Sequence, residues 1–268
     1  MRARLKQIKL LSIATFFIIR CTSLVPEVSE NHHPGDHQVS DFDGMVLLYV
    51  PEGAFTMGSA DPDAPADELP QHSVMLRPYW IDQTEVTNAQ YERCVFASVC
   101  APLVTPRADI DFLPDHPVQG VSWPNAEQYC AWVERRLPTE AEWEKAARGV
   151  DGRLYPWGDQ SPNESKANYN DFYNDVTAVG SFPAGKSPFG ALDMAGNVNE
   201  WVSDWYDEGY YLISPYNTPA GPEGSLQKVI RGGDFLGQSA AIRTTNRYWA
   251  YAYRNDFDGF RCAMDAAK

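Results

Sequence analysis

The stretch "LDMAGNVNEW" (192–201) sets Asp193, Asn197, Asn199 and Glu200 around Gly196 and then runs into Trp201. Oxygen-bearing side chains this close together make either a turn or a cation site. Asn and Asp form turns unaided, because they bond their own backbone and tolerate left-handed conformations. A hard cation gathers the same carboxylate, amide and carbonyl oxygens. The segments upstream frame this loop. In "RLPTEAEWEKAARG" (136–149), Thr139 and Glu142 are spaced as a capping box, and Gly149 stops the helix. Ser122 caps "WPNAEQYCAWVERR", in which Ala126, Tyr129, Cys130 and Val133 recur at helical spacing. Thr87 caps a third helix carrying Tyr91, Val95 and Phe96. Closer to the N-terminus, "MVLLYVPEGAFTMGS" (45–59) reads as two short strands around a Pro-Glu-Gly turn, and "HSVMLRPYWIDQTEVT" (72–87) as one more strand ending near Pro78. Beyond Gly152, the density of Gly, Asn, Pro and aromatic residues predicts short strands, long ordered loops and few helices.

The 268 residues, 44% of them hydrophobic, supply one sizeable core. A formal net charge of −14 repels phosphate backbones and anionic lipid, which argues against nucleic-acid binding. Eight Trp and 14 Tyr with 19 Gly and 20 Pro predict a loop-rich fold held by aromatic packing. Strands and helices do not alternate over the chain, so a doubly wound sheet is not expected.

Residues 1–21 read as an export signal. Arg2, Arg4, Lys6 and Lys9 flank an apolar run over 10–19 that is too short to span a bilayer comfortably. Cys21 follows as in a lipoprotein signal, although Arg20 stands where a small residue is expected. Acylated Cys21 would be the one membrane anchor. Residues 22–43 are polar and read as a flexible linker; His32, His33 and His37 within it are read as solvated rather than metal-binding. The domain then runs over 44–266. In an exported chain the remaining cysteines are expected to pair. Cys94 and Cys100 suit a small loop, and Cys130 joined to Cys262 would clip the chain's end back onto a helix, but four cysteines allow three connectivities.

Eight segments in order, "GAFTMGS", "EVTNAQY", "HPVQGVSW", "RLPTEAEWEKAARG", "YPWGD", "AGNVNEW", "VIRGGDF" and "GFRCA", resemble the formylglycine-generating enzyme, or sulfatase-modifying-factor, family over nearly the whole domain. The resemblance implies a single compact α+β domain, a variant of the C-type-lectin fold with little regular structure. It also favours the Cys130–Cys262 pairing. Carried over by motif, one structural calcium ion would use the Asp193 side chain, the Gly196 and Val198 carbonyls and the Glu200 carboxylate. A second would use Asn168, the Tyr169 carbonyl, Asp171 and the Tyr173 carbonyl.

The family's enzymes bind copper through two cysteines that follow the "RGG" segment, and soft Cu(I) needs such thiolates. Here Gly237 and Ile242 stand at those positions, so copper is not expected. Asp234 replaces a serine, and Asn199 an aromatic residue. A relative of the fold holds non-haem iron with three histidines, whereas past the linker this chain has only His72 and His116. Asp234 and Glu144 are the acid–base candidates, with no nucleophile or paired base beside them. The expectation is therefore a non-catalytic, calcium-stabilised binding or accessory module that recognises a peptide, protein or glycan. Asp234, Gly237, Ile242, Arg247 and Trp249 line the expected cleft, beside Tyr248, Tyr251, Tyr253 and Arg254. The alternative is an oxidoreductase or protein-modifying enzyme that uses other residues.

Overall fold

A computed structural model describes residues 32–104, 113–254 and 257–266. The expected export signal and Cys21 lie outside these residues. Among the described residues, ten short strands and three α-helices make an α+β fold in which loops carry much of the chain. None of these helices is long and apolar enough to cross a membrane.

Strands β1 (His37–Val39), β2 (Val46–Val50), β5 (Tyr79–Asp82) and β10 (Ala263–Asp265) form one antiparallel sheet in the order β1-β2-β5-β10. Strands β3 (Gly53–Met57) and β4 (His72–Leu76) form a separate pair. A third sheet, β8-β7-β6-β9, joins Tyr248–Tyr251, Gln227–Arg231, Asn199–Trp205 and Asp258–Phe260, with β6 and β9 parallel. The Pro-Glu-Gly turn thus carries the chain between two sheets, the strand expected to end near Pro78 is β4, and a further strand, β5, follows it directly after Arg77 and Pro78. All four β5 residues are buried. A strand covered on both faces loses the alternation that marks a half-exposed one.

The expected linker also ends earlier than residue 43. His32 packs its ring 5.0 Å from Tyr49 and 4.9 Å from Trp80. β1 pairs with β2 although its three residues are exposed. Asp43 is buried: its carboxylate accepts from the Tyr129 hydroxyl at 3.0 Å and from Arg135, whose other nitrogen lies 3.1 Å from Asp82. A polar segment joins the fold here through one buried ion-pair network that its composition does not announce.

The helices begin as their caps predict. Helix α1 (Asn88–Phe96) and helix α3 (Glu140–Arg148) each have a complete capping box, through Thr87 with Gln90 and Thr139 with Glu142. Ser122 holds the cap position of helix α2 (Trp123–Trp132) without a side-chain bond. Gly149, at φ 71°, ends α3 in a conformation open to glycine. Every α3 residue is buried despite five charges. Lys145 donates to the Pro51 and Gly53 carbonyls at 2.7 and 2.9 Å, and burial pushes its pKa down to about 8. Glu144 accepts from Arg148 at 2.8 Å and Arg231 at 2.6 Å, while Glu140 takes Arg247 on both oxygens. Buried charges are tolerated when paired in this way.

Two disulfides close the fold, Cys94–Cys100 and Cys130–Cys262, with sequence separations of 6 and 132. The second ties α2 to the segment just before β10. In the chain-entropy model the long loop stabilises by about 5 kcal/mol and the short one by about 2 kcal/mol. Equilibrium unfolding in urea should therefore show the Cys130→Ala/Cys262→Ala variant losing clearly more stability than Cys94→Ala/Cys100→Ala; equal losses would contradict this ordering.

Candidate functional site

The loop 192–201 needs three left-handed positions: Asp193 at φ 58°, Gly196 at 83° and Asn197 at 66°. Asx residues and glycine are the ones that accept such angles. A Cβ on Gly196 would lie 2.0 Å from the Asn168 carbonyl oxygen, so no other residue fits there. Asn197 ties the loop together. Its backbone N–H donates to the Asn168 carbonyl at 2.8 Å, and its side-chain oxygen accepts from the Thr177 N–H at 2.9 Å and the Asn168 amide at 3.2 Å. Its own amide donates to Glu85 at 3.1 Å.

Beneath the loop lies a charge cluster. Arg261, fully buried, donates to both oxygens of Glu200 at 2.7 Å and to the carbonyls of Asp82, Gln83 and Leu192. Trp143 adds an indole N–H to Glu200 at 2.8 Å. Asp193 accepts from the Gly180 N–H at 2.6 Å. Glu85 is also fully buried, and one of its oxygens has no hydrogen-bond donor. Burial first, then repulsion from Asp193, holds the Glu85 carboxyl well above the carboxylate range; burial likewise raises Asp193.

Glu85 was missed at the sequence level. It sits in "EVTNAQY", two residues ahead of the helix cap Thr87, with no local signal of burial. Only its distant partners Asn197, Asp193 and Arg261 give it a buried role.

The residues assigned to calcium divide on this geometry. Asp193 and the glycine-shaped Gly196 turn fit an oxygen cradle beside Val198, which is itself buried. Glu200 fits less well, because both its oxygens already serve Arg261 and Trp143. At the second position Asn168 fits: it is 1% exposed, and its side-chain oxygen is buried with no partner. The Tyr169 carbonyl accepts from the Phe172 N–H at 3.2 Å. Asp171 and Tyr173 are exposed, with the Tyr173 hydroxyl on the Glu164 carbonyl, while the Asp175 carbonyl is the one that meets the Asn168 amide. Among the described residues no three His, Cys, Asp or Glu side chains cluster in metal-ligating geometry. An ion at either place would therefore need backbone and amide oxygens as well.

The stretch expected to line a cleft is largely filled by the protein itself. Asp234 caps the turn after it, accepting from the Leu236 and Gly237 N–H groups at 3.1 and 2.9 Å, and takes the Asn199 amide at 3.0 Å. The Asn170 and Asp171 N–H groups dock on the Gly237 and Phe235 carbonyls, both at 2.8 Å. A Cβ on Gly237 would stand 3.1 Å from the Asp234 carbonyl oxygen and 3.2 Å from the Ala241 methyl, so the turn is tight.

Two cleft assignments are corrected. Ile242 is fully buried among Tyr155, Ala167, Tyr169 and Ala195. Arg247 is 4% exposed, bound to Glu140 and stacked 4.2 Å over Tyr211. Both serve packing rather than a ligand. Trp249 is half-buried against Tyr206, at 6.2 Å between ring centroids, and Tyr248, Tyr251 and Tyr253 around it are exposed. Arg254 pairs with Asp258 at 3.2 Å. Of the histidines, His116 contacts Asp115 at 2.9 Å and His72 the Pro70 carbonyl at 3.0 Å. Glu144 is held by two guanidinium groups and the Gly58 N–H, as a structural rather than an acid–base residue.

Removing Arg261 would strand a buried carboxylate, which costs about 3–5 kcal/mol when one partner of such a pair is deleted. Arg261→Met should therefore be severely destabilised in chemical denaturation, and Arg261→Met/Glu200→Gln should regain part of the loss. No recovery in the double variant would show that Arg261 acts through its carbonyl contacts alone.

Comparison with known proteins agrees with this architecture. A formylglycine-generating enzyme of Streptomyces coelicolor is 35% identical over 286 residues, covering 83% of this chain and 90% of that protein. A hercynine oxygenase of Mycolicibacterium smegmatis is 32% identical over 260 residues, 81% of this chain and 61% of that protein. The structure of PvdO from Pseudomonas aeruginosa superposes with a TM-score of 0.76 at 29% identity, covering 88% of this chain and all of the other. Residues 31–266 match the sulfatase-modifying factor enzyme 1-like domain, and the chain belongs to that family.

Proposed function

We propose that this chain is an exported, non-catalytic member of the family that works as a calcium-braced binding or accessory module for a peptide, protein or glycan. One observation carries the reading: the positions of the copper-binding thiols hold Gly237, in a tight turn, and Ile242, fully buried in apolar packing. Neither side chain can ligate a metal, and the four cysteines at 94, 100, 130 and 262 are spent on disulfides. Those disulfides also support export, since they persist in oxidising compartments. The recognition surface would be formed by the exposed Tyr248 and Tyr251 with the half-buried Trp249 between them, on a strand at the edge of its sheet. Net charge −14 disfavours nucleic acid as the partner. If the precursor is acylated at Cys21, that lipid is its membrane tether.

Calcium would act as a structural brace at the Asp193 loop and, through Asn168, beside it. The competing reading, an oxidoreductase or protein-modifying enzyme acting through other residues, draws on the names of the relatives. Its acid–base candidates here, Asp234 and Glu144, are a turn cap and a buried ion-pair partner.

Purified protein supplied with Cu(I), oxygen and a cysteine-containing sulfatase-motif peptide should yield no formylglycine by mass spectrometry; product formation would overturn the proposal. A bound ion at 100-fold over its Kd stabilises by about 2.7 kcal/mol. Chelation should therefore lower Tm by roughly 5–10 °C, given about 2–4 °C per kcal/mol for a domain of this size, and added calcium should restore it.

A further inference from the structure

We propose that the outer edge of β8 takes a basic, extended peptide as an added strand, so that the surface around Trp249 binds its partner through backbone pairing as well as through its rings. The proposal rests on the binding-module reading above and names the partner class and the mode of binding.

Register decides which backbone groups of β8 are spare. Along an antiparallel strand, successive residues turn their N–H and C=O alternately to the neighbour on one side and on the other. Gln227 turns toward β6, because its carbonyl accepts from the Tyr206 N–H at 2.8 Å. Lys228 and Ile230 therefore turn toward β8, where they stand opposite Ala250 and Tyr248. Trp249 and Tyr251 are left facing away from β7, and among the described residues β8 is the last strand of its sheet on that side. The Tyr251 carbonyl is used by the turn that follows, accepting from the Arg254 N–H at 2.8 Å. The Trp249 N–H and C=O and the Tyr251 N–H have no backbone partner among the described residues. Free edges are commonly blunted by charges or proline. β8 reads Tyr-Trp-Ala-Tyr and has neither, and Tyr248 and Tyr251 are 55% and 58% exposed. Such an edge is a template for a strand from another chain.

Charge selects the partner. Arg247, just ahead of β8, donates to the carbonyls of Asp67 and Asp207 at 2.7 and 3.5 Å, which sets both aspartates beside the start of the strand. The Asp67 carboxylate accepts from the hydroxyl of Tyr206, the ring on which Trp249 packs, and Asp207 and Glu208 are exposed directly after it. The cations close by are already engaged. Arg247 is bound to Glu140, and Lys228 is buried on the Ser203 carbonyl between the rings of Trp123 and Trp205. The edge therefore offers aromatic faces and an acidic border. A second copy of this chain would bring the same border and another formal charge of −14, which repels. Lysine and arginine side chains instead pair with the acids and lie over the rings, while the main chain that carries them supplies the missing strand.

The test is fluorescence anisotropy with a labelled peptide of alternating lysine and valine, its fully N-methylated analogue, and a counterpart of alternating glutamate and valine. The lysine peptide should bind. N-methylation removes its backbone donors and should weaken binding about tenfold or more, and the glutamate peptide should not bind. On the protein side, Tyr251→Pro removes the outward N–H without touching the pairing with β7, a substitution that edge strands tolerate. It should bind the lysine peptide about tenfold more weakly than Tyr251→Ala does, at a similar melting temperature. Should Tyr251→Pro fail to fold, the methylated peptide decides on the wild-type protein. Equal binding of the plain and methylated peptides would overturn strand addition and leave a side-chain recognition surface standing. Equal binding of the glutamate peptide would refute the selection of basic partners. A wild-type dimer in sedimentation velocity that Tyr251→Pro dissolves would make a second copy the occupant and sink the proposal. Failure of the lysine peptide to bind the wild type would also sink it, whereas the non-catalytic reading falls only if formylglycine is formed.

Discussion

The Arg261 guanidinium is the contact on which the rest of this domain depends. Its five N–H groups reach both oxygens of Glu200 on β6, the carbonyls of Asp82 and Gln83 at the end of β5, and the Leu192 carbonyl at the entry to the Asx-rich loop. One side chain thereby fixes the spacing of two sheets and the start of the loop between them. Arginine suits this place because its planar fork offers all its donors in fixed directions and does not lose its charge on burial. Once Glu200 is matched, the carboxylates nearby must find other means of neutralisation, and the geometry around Glu85 and Asp193 follows from that constraint.

The same logic governs α3. A helix with no exposed face has to satisfy its charges internally, and it does so with Arg148, Arg231 and Arg247 for its glutamates and backbone carbonyls for Lys145. Arg247, which reads as a ligand-facing cation in a Tyr-rich stretch, is consumed by this network. What remains at the surface nearby is aromatic rather than cationic.

Local chemistry made much of this fold legible. Thr87 with Gln90 and Thr139 with Glu142 announce two helices because a capping box needs only four adjacent residues. The eight ordered segments identify the family, and with it the Cys130–Cys262 link. The illegible features depend on partners far along the chain. β1 shows no strand pattern, since its three residues are exposed and it is held by pairing with β2 and by the Asp43 network behind it. β5 gives no strand signal of its own because burial on both faces erases alternation. Glu85 looks like a surface residue until Asn197, 112 positions away, is seen to bind it. In the Asx-rich loop, the left-handed turn at Gly196 is legible from its residue types; that Glu200 is engaged by Arg261, 61 positions away, is not.

The first sheet has a consequence for how the molecule is made. It takes β1 and β2 from the start of the described chain and β10 from its end, and β10 docks directly on β5. The 132-residue cystine closes beside that last strand. A vectorially emerging chain therefore cannot finish its first sheet or close the Cys130–Cys262 loop until residues 262–265 are free. Closing this sheet joins residues far apart in the chain, the kind of pairing that forms slowly, and until β10 arrives β5 keeps an open edge.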